Sequence, residues 1–232
     1  MARSRQQQRR IPSNNPQIAR RRPPSLEALS QYNVNRPGQI EAVYQPLYDY
    51  QLYAAAGQTS LTFFQVPVGG GAVPRTLADT NMRSAGQLPA PQQFLIQSIQ
   101  VQLLPGFALT SAAAIAATSF AQDAYTILAN GILRLRVGSK DYVEHSPLID
   151  FPPTSRMSGF AAASTGTGDA TTFKATYAQA DGVPFAVVPI RLIASQNFSV
   201  TLEWPAAVAV PSANATTRIG VKFTGYMYRN SQ

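Results

Sequence analysis

The chain lacks cysteine altogether and contains a single histidine, His145. Without cysteine there is no disulfide framework, no thiolate nucleophile and no thiolate metal ligand. His145 has no second histidine with which to bind a metal, and no nucleophile motif accompanies it. No run reaches the roughly 18 apolar residues that a membrane-spanning helix needs. The basic N-terminus is not followed by the apolar segment of a secretory signal. We therefore expect no enzymatic activity, no cofactor and no bound metal.

Charge is scarce and unevenly placed. Only 13% of the 232 residues are charged, about half the usual share for a soluble domain. Residues 1–40 hold eight arginines and one glutamate, a net charge of +7, whereas the rest hold eleven basic and ten acidic residues, a net charge of +1. A body with so few surface charges is poorly protected from association, so we predict that neighbouring subunits cover much of it. The cationic end predicts a nucleic acid or an anionic membrane as its partner.

Residues 1–43 are predicted to form a basic arm and connector. The first 24 residues interleave arginine with Gln, Asn and Pro and have too few apolar residues to fold alone, so an extended or disordered arm is expected. Arginine makes permanently charged, bidentate contacts to phosphate, and along a flexible chain such contacts bind without reading sequence. The predicted nucleic-acid-binding residues are Arg3, Arg5, Arg9, Arg10, Arg20, Arg21 and Arg22. Ser25 is expected to cap one short helical turn in the connector.

Residues 44–232 are predicted to form one all-β domain. Strand patterns recur without the strand–helix alternation of a parallel sheet, which favours an antiparallel two-sheet sandwich. The predicted strands are Tyr44–Ala54, Ser60–Val66, Gln93–Leu104, the hairpin Ile132–His145, Phe173–Tyr177, Phe185–Leu192, Phe198–Trp204 and Ile219–Tyr228. In Gln93–Leu104 the odd-numbered positions are nearly all apolar and are expected to face the core. A helix is predicted over Ala112–Leu128, and an exposed loop over residues 154–170.

Two side-chain groups in the body are candidates for binding. Four tyrosines, Tyr44, Tyr48, Tyr50 and Tyr53, form a cluster on which bases could stack. No basic residue lies among them in the sequence, which favours burial in the core or in a subunit contact. Arg134 and Arg136 share one face of a strand, which is typical of an ordinary exposed or interface surface, with a polyanion contact as the alternative.

The arm, connector and strand-rich body with long Gly/Pro-rich loops together resemble the jelly-roll coat proteins of small icosahedral viruses and bacteriophages. The Arg/Gln/Pro arm of residues 1–24 and the helix inserted between strands carry this resemblance, which is architectural. It implies a two-sheet jelly roll that assembles in many copies into the shell of a virion. It also implies an arm on the inner surface that contacts the DNA or RNA genome, neighbouring arms or an internal membrane.

Three other interpretations remain open at this point. A minor vertex or decoration protein of a virion would share the fold, contact other virion proteins and be present in fewer copies. A cellular nucleic-acid-binding β module is expected to carry basic and aromatic residues together on its strands, and the nearly neutral body weighs against it. A lectin-like hydrolase would need an acid–base or nucleophile constellation, which the sequence does not display.

Overall fold

The computed structural model describes residues 40–104, 120–152, 158–165, 172–179, 184–210 and 216–230, with the backbone alone for 120–122, 158–165, 172–179 and 230. Eleven strands and one helix lie in these ranges. They are β1 Ile40–Tyr44, β2 Leu47–Leu52, β3 Ser60–Phe63, β4 Gln93–Leu104, α1 Phe120–Ala129, β5 Ile132–Val137, β6 Lys140–Pro147, β7 Ser158–Thr165, β8 Thr172–Gln179, β9 Phe185–Leu192, β10 Phe198–Glu203 and β11 Arg218–Asn230. A short 3₁₀ turn, Leu148–Asp150, follows β6.

Two antiparallel sheets, one of five strands and one of four, form the sandwich of the body. In the first sheet, β11 lies between β4 and the consecutive strands β1 and β2, and β9 pairs with the far edge of β4. In the second sheet the order is β3, β10, β5, β6. The chain crosses repeatedly from one sheet to the other, so that β2, β4, β9 and β11 oppose β3, β5, β6 and β10. This is the strand order of a jelly roll, and it confirms the predicted fold class.

The core between the sheets is rich in aromatic rings. Phe64 stacks on Phe223 of the first sheet with ring centroids 4.9 Å apart, and lies 5.5 Å from the ring of Phe198 in the second sheet. Tyr53 meets Trp204 edge to face at 5.2 Å. Because these rings are contributed by both sheets, the sandwich is held together by packing across its middle.

The helix α1 is joined to this core by a buried hydrogen bond. The indole Nε1 of Trp204 donates to the carbonyl oxygen of Ile127, 2.9 Å away, and Ile127 is itself fully buried. Buried indole N–H groups need such a partner. The helix ends at Ala129, close to the predicted end at Leu128; the predicted residues 112–119 lie outside the described part of the chain.

Several predicted boundaries need correction. The first sheet begins at Ile40 instead of Tyr44, and Gln45 and Pro46 divide the predicted first strand into β1 and β2. The loop predicted over residues 154–170 is wrong in part, because Ser158–Thr165 forms β7 and pairs with β8. Its Ser/Ala/Thr composition gave no clear strand pattern, and its pairing with a later segment is a non-local interaction that composition does not reveal.

Candidate functional site

Lys222 lies next to two tyrosines on the outer face of the first sheet, the face turned away from the core. In the register of β11 with β2, Lys222 is paired with Tyr48 and Gly220 with Tyr50. On its other side β11 pairs Lys222 with Gln100 and Gly220 with Gln102 of β4. We call the group Tyr48, Tyr50, Gln102, Arg218 and Lys222 the tyrosine–lysine face.

Gly220 fixes the position of Tyr50. A Cβ atom at Gly220 would lie 2.0 Å from the Tyr50 ring, so only glycine lets the ring lie across β11 at this point. The Tyr50 hydroxyl then donates to Oε1 of Gln102 on β4, beyond β11. Burial raises the pKa of Tyr50, the neighbouring Tyr48 raises it further, and Arg218 lowers it. Tyr50 is therefore a fixed, neutral ring at ordinary pH.

Tyr48 is held by the loop between β3 and β4, whereas Tyr50 is held by β4. Its hydroxyl donates to the carbonyl oxygen of Leu77, 2.5 Å away, and its ring centroid lies 5.9 Å from that of Tyr50 in a tilted arrangement. Both rings are half-buried. The two tyrosines therefore offer ring surface in fixed positions, which costs little side-chain entropy when a ligand binds.

Lys222 is a half-buried cation that forms no ion pair within the described residues. Its removal from water disfavours the charged ammonium and lowers the pKa of Lys222. Its nearest strand neighbours, Tyr48 and Gln100, are uncharged. An anion placed on this face would therefore compensate a charge that the described residues leave unbalanced.

The outward strand positions of the first sheet hold cations, and the carboxylate next to them belongs to the loop residue Asp79. Arg191 and Arg218 occupy outward positions of β9 and β11 as Lys222 does, and no outward position of the described strands in this sheet is Asp or Glu. Arg218 is paired with Asp79 of a loop at 2.9 Å, and Arg191 donates to Gln93 Oε1 at 3.0 Å. The face is thus positive overall, although the sequence of the body is nearly neutral.

The loop between β3 and β4 covers the free edge of β2 and supports the tyrosines. The Tyr50 amide donates to the Asp79 carbonyl at 2.7 Å, and the Tyr48 amide donates to Asn81 Oδ1 at 3.0 Å. Thr80 makes an antiparallel bridge to Asp49 of β2. Covering the edge in this way prevents it from pairing with another strand and leaves the outer face as the accessible surface.

The second sheet has an ordinary polar outer face. Arg134 pairs with Glu203 at 3.1 Å, and both side chains are about one-third exposed. Arg136 is exposed and its Nε donates to the Gly138 carbonyl at 3.3 Å. These two arginines thus have partners within the chain, which favours the prediction of an ordinary exposed surface over a polyanion contact.

The remaining predicted site residues are dispersed. The seven arm arginines, Arg3, Arg5, Arg9, Arg10, Arg20, Arg21 and Arg22, lie outside the described residues. Tyr53 belongs to the core and Tyr44 is 58% exposed, so the predicted tyrosine cluster divides between the inside and the outer face. His145 is exposed on β6.

A small cavity of about 130 Å³ lies beside β2 and the loop that covers it. Leu47, Met82 and Leu88 form part of its lining, with Arg83 and Arg229, and no carboxylate or histidine of the described residues lines it. Within the described ranges no three His, Cys, Asp or Glu side chains are grouped to hold a metal ion. The helix that the structure describes is neither long nor apolar enough to cross a membrane.

The sequence did not reveal the pairing of Lys222 with the tyrosines. About 170 residues separate Tyr48 from Lys222 along the chain, and only the strand register of β2 with β11 brings them together. The sequence did contain one sign, because Gly220 and Lys222 place a glycine and a charged residue within a strand pattern. Such residues do not identify the partner strand.

The chain matches no family model, and no curated protein and no solved structure is significantly similar to it.

Proposed function

We propose that this protein is the coat protein of an icosahedral virion, with the jelly roll as the shell and the arginine arm on the inner surface. The observation that carries the proposal is the jelly-roll strand order joined to a strongly basic, low-complexity arm. Jelly rolls occur in viral capsid domains, lectins and cupins, and a cationic arm suits the first of these because a capsid must hold a polyanion.

Exposed apolar side chains on the body support self-assembly. Val188 is 87% exposed, Val73 is 81% exposed and Tyr125 is 68% exposed. Such residues on a chain with only 13% charged residues favour burial against other subunits. Further copies of this chain are therefore its proposed main partners, with the DNA or RNA genome and other virion proteins as additional partners.

The proposal is tested by imaging the purified full-length protein. Negative-stain microscopy and sedimentation are expected to show closed shells of uniform diameter that contain nuclease-protected nucleic acid. A matched variant with the seven arm arginines replaced by glutamine should lose the protected nucleic acid. A protein that stays monomeric at high concentration, with and without nucleic acid, contradicts the proposal. A minor vertex or decoration subunit would instead appear at low copy number beside another coat protein in isolated particles.

One structural feature favours a second candidate, a cellular nucleic-acid-binding β module. Such a module is expected to carry aromatic and basic residues together on its strands, and the tyrosine–lysine face has this arrangement. The absence of shells together with tight binding to nucleic acid would favour it. An arm directed to an internal membrane would bind anionic vesicles and not nucleic acid.

A further inference from the structure

We infer that the tyrosine–lysine face is a second nucleic-acid contact, separate from the arm, which binds single strands with a phosphate on Lys222 and bases against Tyr48 and Tyr50. The inference deepens the proposed function, on which it rests for the supply of a nucleic acid as ligand. It gives the folded body a nucleic-acid contact of its own, although the net charge of residues 41–232 is only +1.

The charge of the face selects an anion. The Lys222 ammonium is half-buried among uncharged side chains and has no ion pair among the described residues. Arg218 lies on the same face of β11, four residues away beyond Gly220, and its side chain is about one-third exposed, so it offers a second, more distant cation even while paired with Asp79. Burial takes hydrogen bonds to water away from the Lys222 ammonium. The oxygens of a bound phosphate would replace them with charge-assisted hydrogen bonds.

The two tyrosine rings of this face select a single strand. The rings of Tyr48 and Tyr50 are fixed by hydrogen bonds to Leu77 and Gln102 before any ligand arrives. Unpaired bases stack on such rings whatever their sequence, whereas the bases of a duplex already stack on each other. A sheet presents side chains from neighbouring strands in one plane, which suits several splayed bases at once. Leu52 and Tyr44, both more than half exposed, extend the apolar surface along the same face.

The test measures binding of the full-length Lys222→Gln variant to labelled oligothymidylate and oligouridylate of about 20 nucleotides. Lys140→Gln is the matched control, because Lys140 is an exposed lysine on β6 of the other sheet. Loss of one phosphate contact reduces the logarithmic salt slope by about 0.7 for a single strand, which corresponds to about a fivefold weaker affinity at about 0.1 M salt. The control is expected to bind as the wild type does.

Photocrosslinking supplies a second measurement. An oligonucleotide that contains halogenated uracil is irradiated with the wild-type protein, and the modified peptides are mapped by mass spectrometry. Crosslinks at Tyr48 or Tyr50 are expected, because the excited halogenated base reacts mainly with aromatic side chains. Crosslinks confined to tyrosines elsewhere, such as the exposed Tyr142 on β6 of the other sheet, contradict the inference.

Two results overturn the inference while the proposed function stands. One is a Lys222→Gln variant whose affinity and salt slope equal those of Lys140→Gln while shells still form. The other is a Lys222→Gln variant that binds normally but no longer assembles, which would make the face a protein contact. Conversely, a weaker affinity of Lys222→Gln than of Lys140→Gln, together with no shells from the wild type, supports the inference and contradicts the proposed shell.

Discussion

At the scale of single residues, a buried carboxylate explains why β3 ends where it does. Phe64 has a left-handed backbone, with φ of 66°, which is unfavourable for a residue other than glycine. Its amide donates to Oδ2 of Asp49 at 2.6 Å, and Arg75 pairs with Oδ1 of the same carboxylate at 3.3 Å. Asp49 thus stabilises the turn that carries the Phe64 ring into the core. The sequence pattern predicted that the strand continued to Val66, because a backbone angle of this kind leaves no mark in hydrophobic periodicity.

Asp49 gives the protein a specific dependence on pH. Burial raises its pKa above 3.8, although the Phe64 amide and Arg75 act in the opposite direction. The folded state is therefore less stable with Asp49 ionised than with Asp49 protonated, and this difference disappears as the pH falls through the folded pKa towards the ordinary value of 3.8. Relative to Asp49→Asn, which does not titrate, the wild type should gain stability as the pH falls from neutral towards 3.8. Urea unfolding of the unassembled proteins measures the difference.

Asp79, in the loop that covers the edge of β2, provides a control of opposite sign. Hydrogen bonds lead the causes that lower its pKa, beginning with the one from the Thr76 amide at 2.9 Å. The stability that ionised Asp79 contributes to the fold is present above the ordinary pKa of 3.8, and it is lost as the pH falls through the lower folded pKa. The advantage of the wild type over Asp79→Asn should therefore shrink in acid. If both differences changed in the same direction, the assignment of opposite shifts would be wrong.

Gly220 is the residue on which the tyrosine–lysine face depends. In Gly220→Ala the new Cβ would overlap the Tyr50 ring, so the ring would have to move away from β11. We expect a loss of about 1–3 kcal/mol in the free energy of unfolding, as in other overpacked sites. The Tyr50–Gln102 hydrogen bond should also break, so affinity for single strands should fall. Unchanged thermal and urea unfolding would show that the ring is free to move.

At the scale of elements, the strands were predictable and their irregularities were not. The bounds of β4 and β9 were predicted correctly, because alternation of apolar residues is a direct consequence of facing a core. The predicted inward parity of β4 holds for Ile99, Val101 and Leu103 but not for its first half. The register shifts around residues 96–98 place Phe94 and Ile96 on the core side, and Leu95 on the outer side. A bulge depends on the partner strands, so the sequence of β4 alone does not reveal it.

The hairpin of β7 and β8 is expected to be dispensable for folding of the body. Neither main sheet pairs with it, and the rings of Phe151 and Phe185 before and after it are 4.5 Å apart. Replacing residues 153–183 by a short Gly/Ser linker should therefore preserve a cooperative unfolding transition and a β-type circular dichroism spectrum. The linker can be short because the flanking residues already meet. A variant that no longer unfolds cooperatively would show that the hairpin stabilises the sandwich.

At the scale of the whole molecule, strand order accounts for what the sequence could and could not reveal. Composition and turn spacing were sufficient to predict an antiparallel sandwich, since they follow from local chain properties. The positive outer face was not predictable, because Tyr48 and Lys222 meet only through β2–β11 pairing. Residues so far apart in the sequence can be placed side by side only when the strand register is known, because the register decides which side chains share the outer face.

The division of charge between arm and body leads to the final prediction. Deleting residues 2–24 removes seven arginines and almost no apolar side chains, so the body should fold unchanged. If each arginine contacts one phosphate, the logarithmic salt slope for single strands should decrease in magnitude by about 5. A weak residual slope should remain, because Lys222 and Arg218 belong to the body. Adding Lys222→Gln to the truncated chain should reduce that remainder, whereas adding Lys140→Gln should not. Affinity equal to that of the full chain would show that the arm does not bind nucleic acid, and failure to fold would show that the arm is part of the structure.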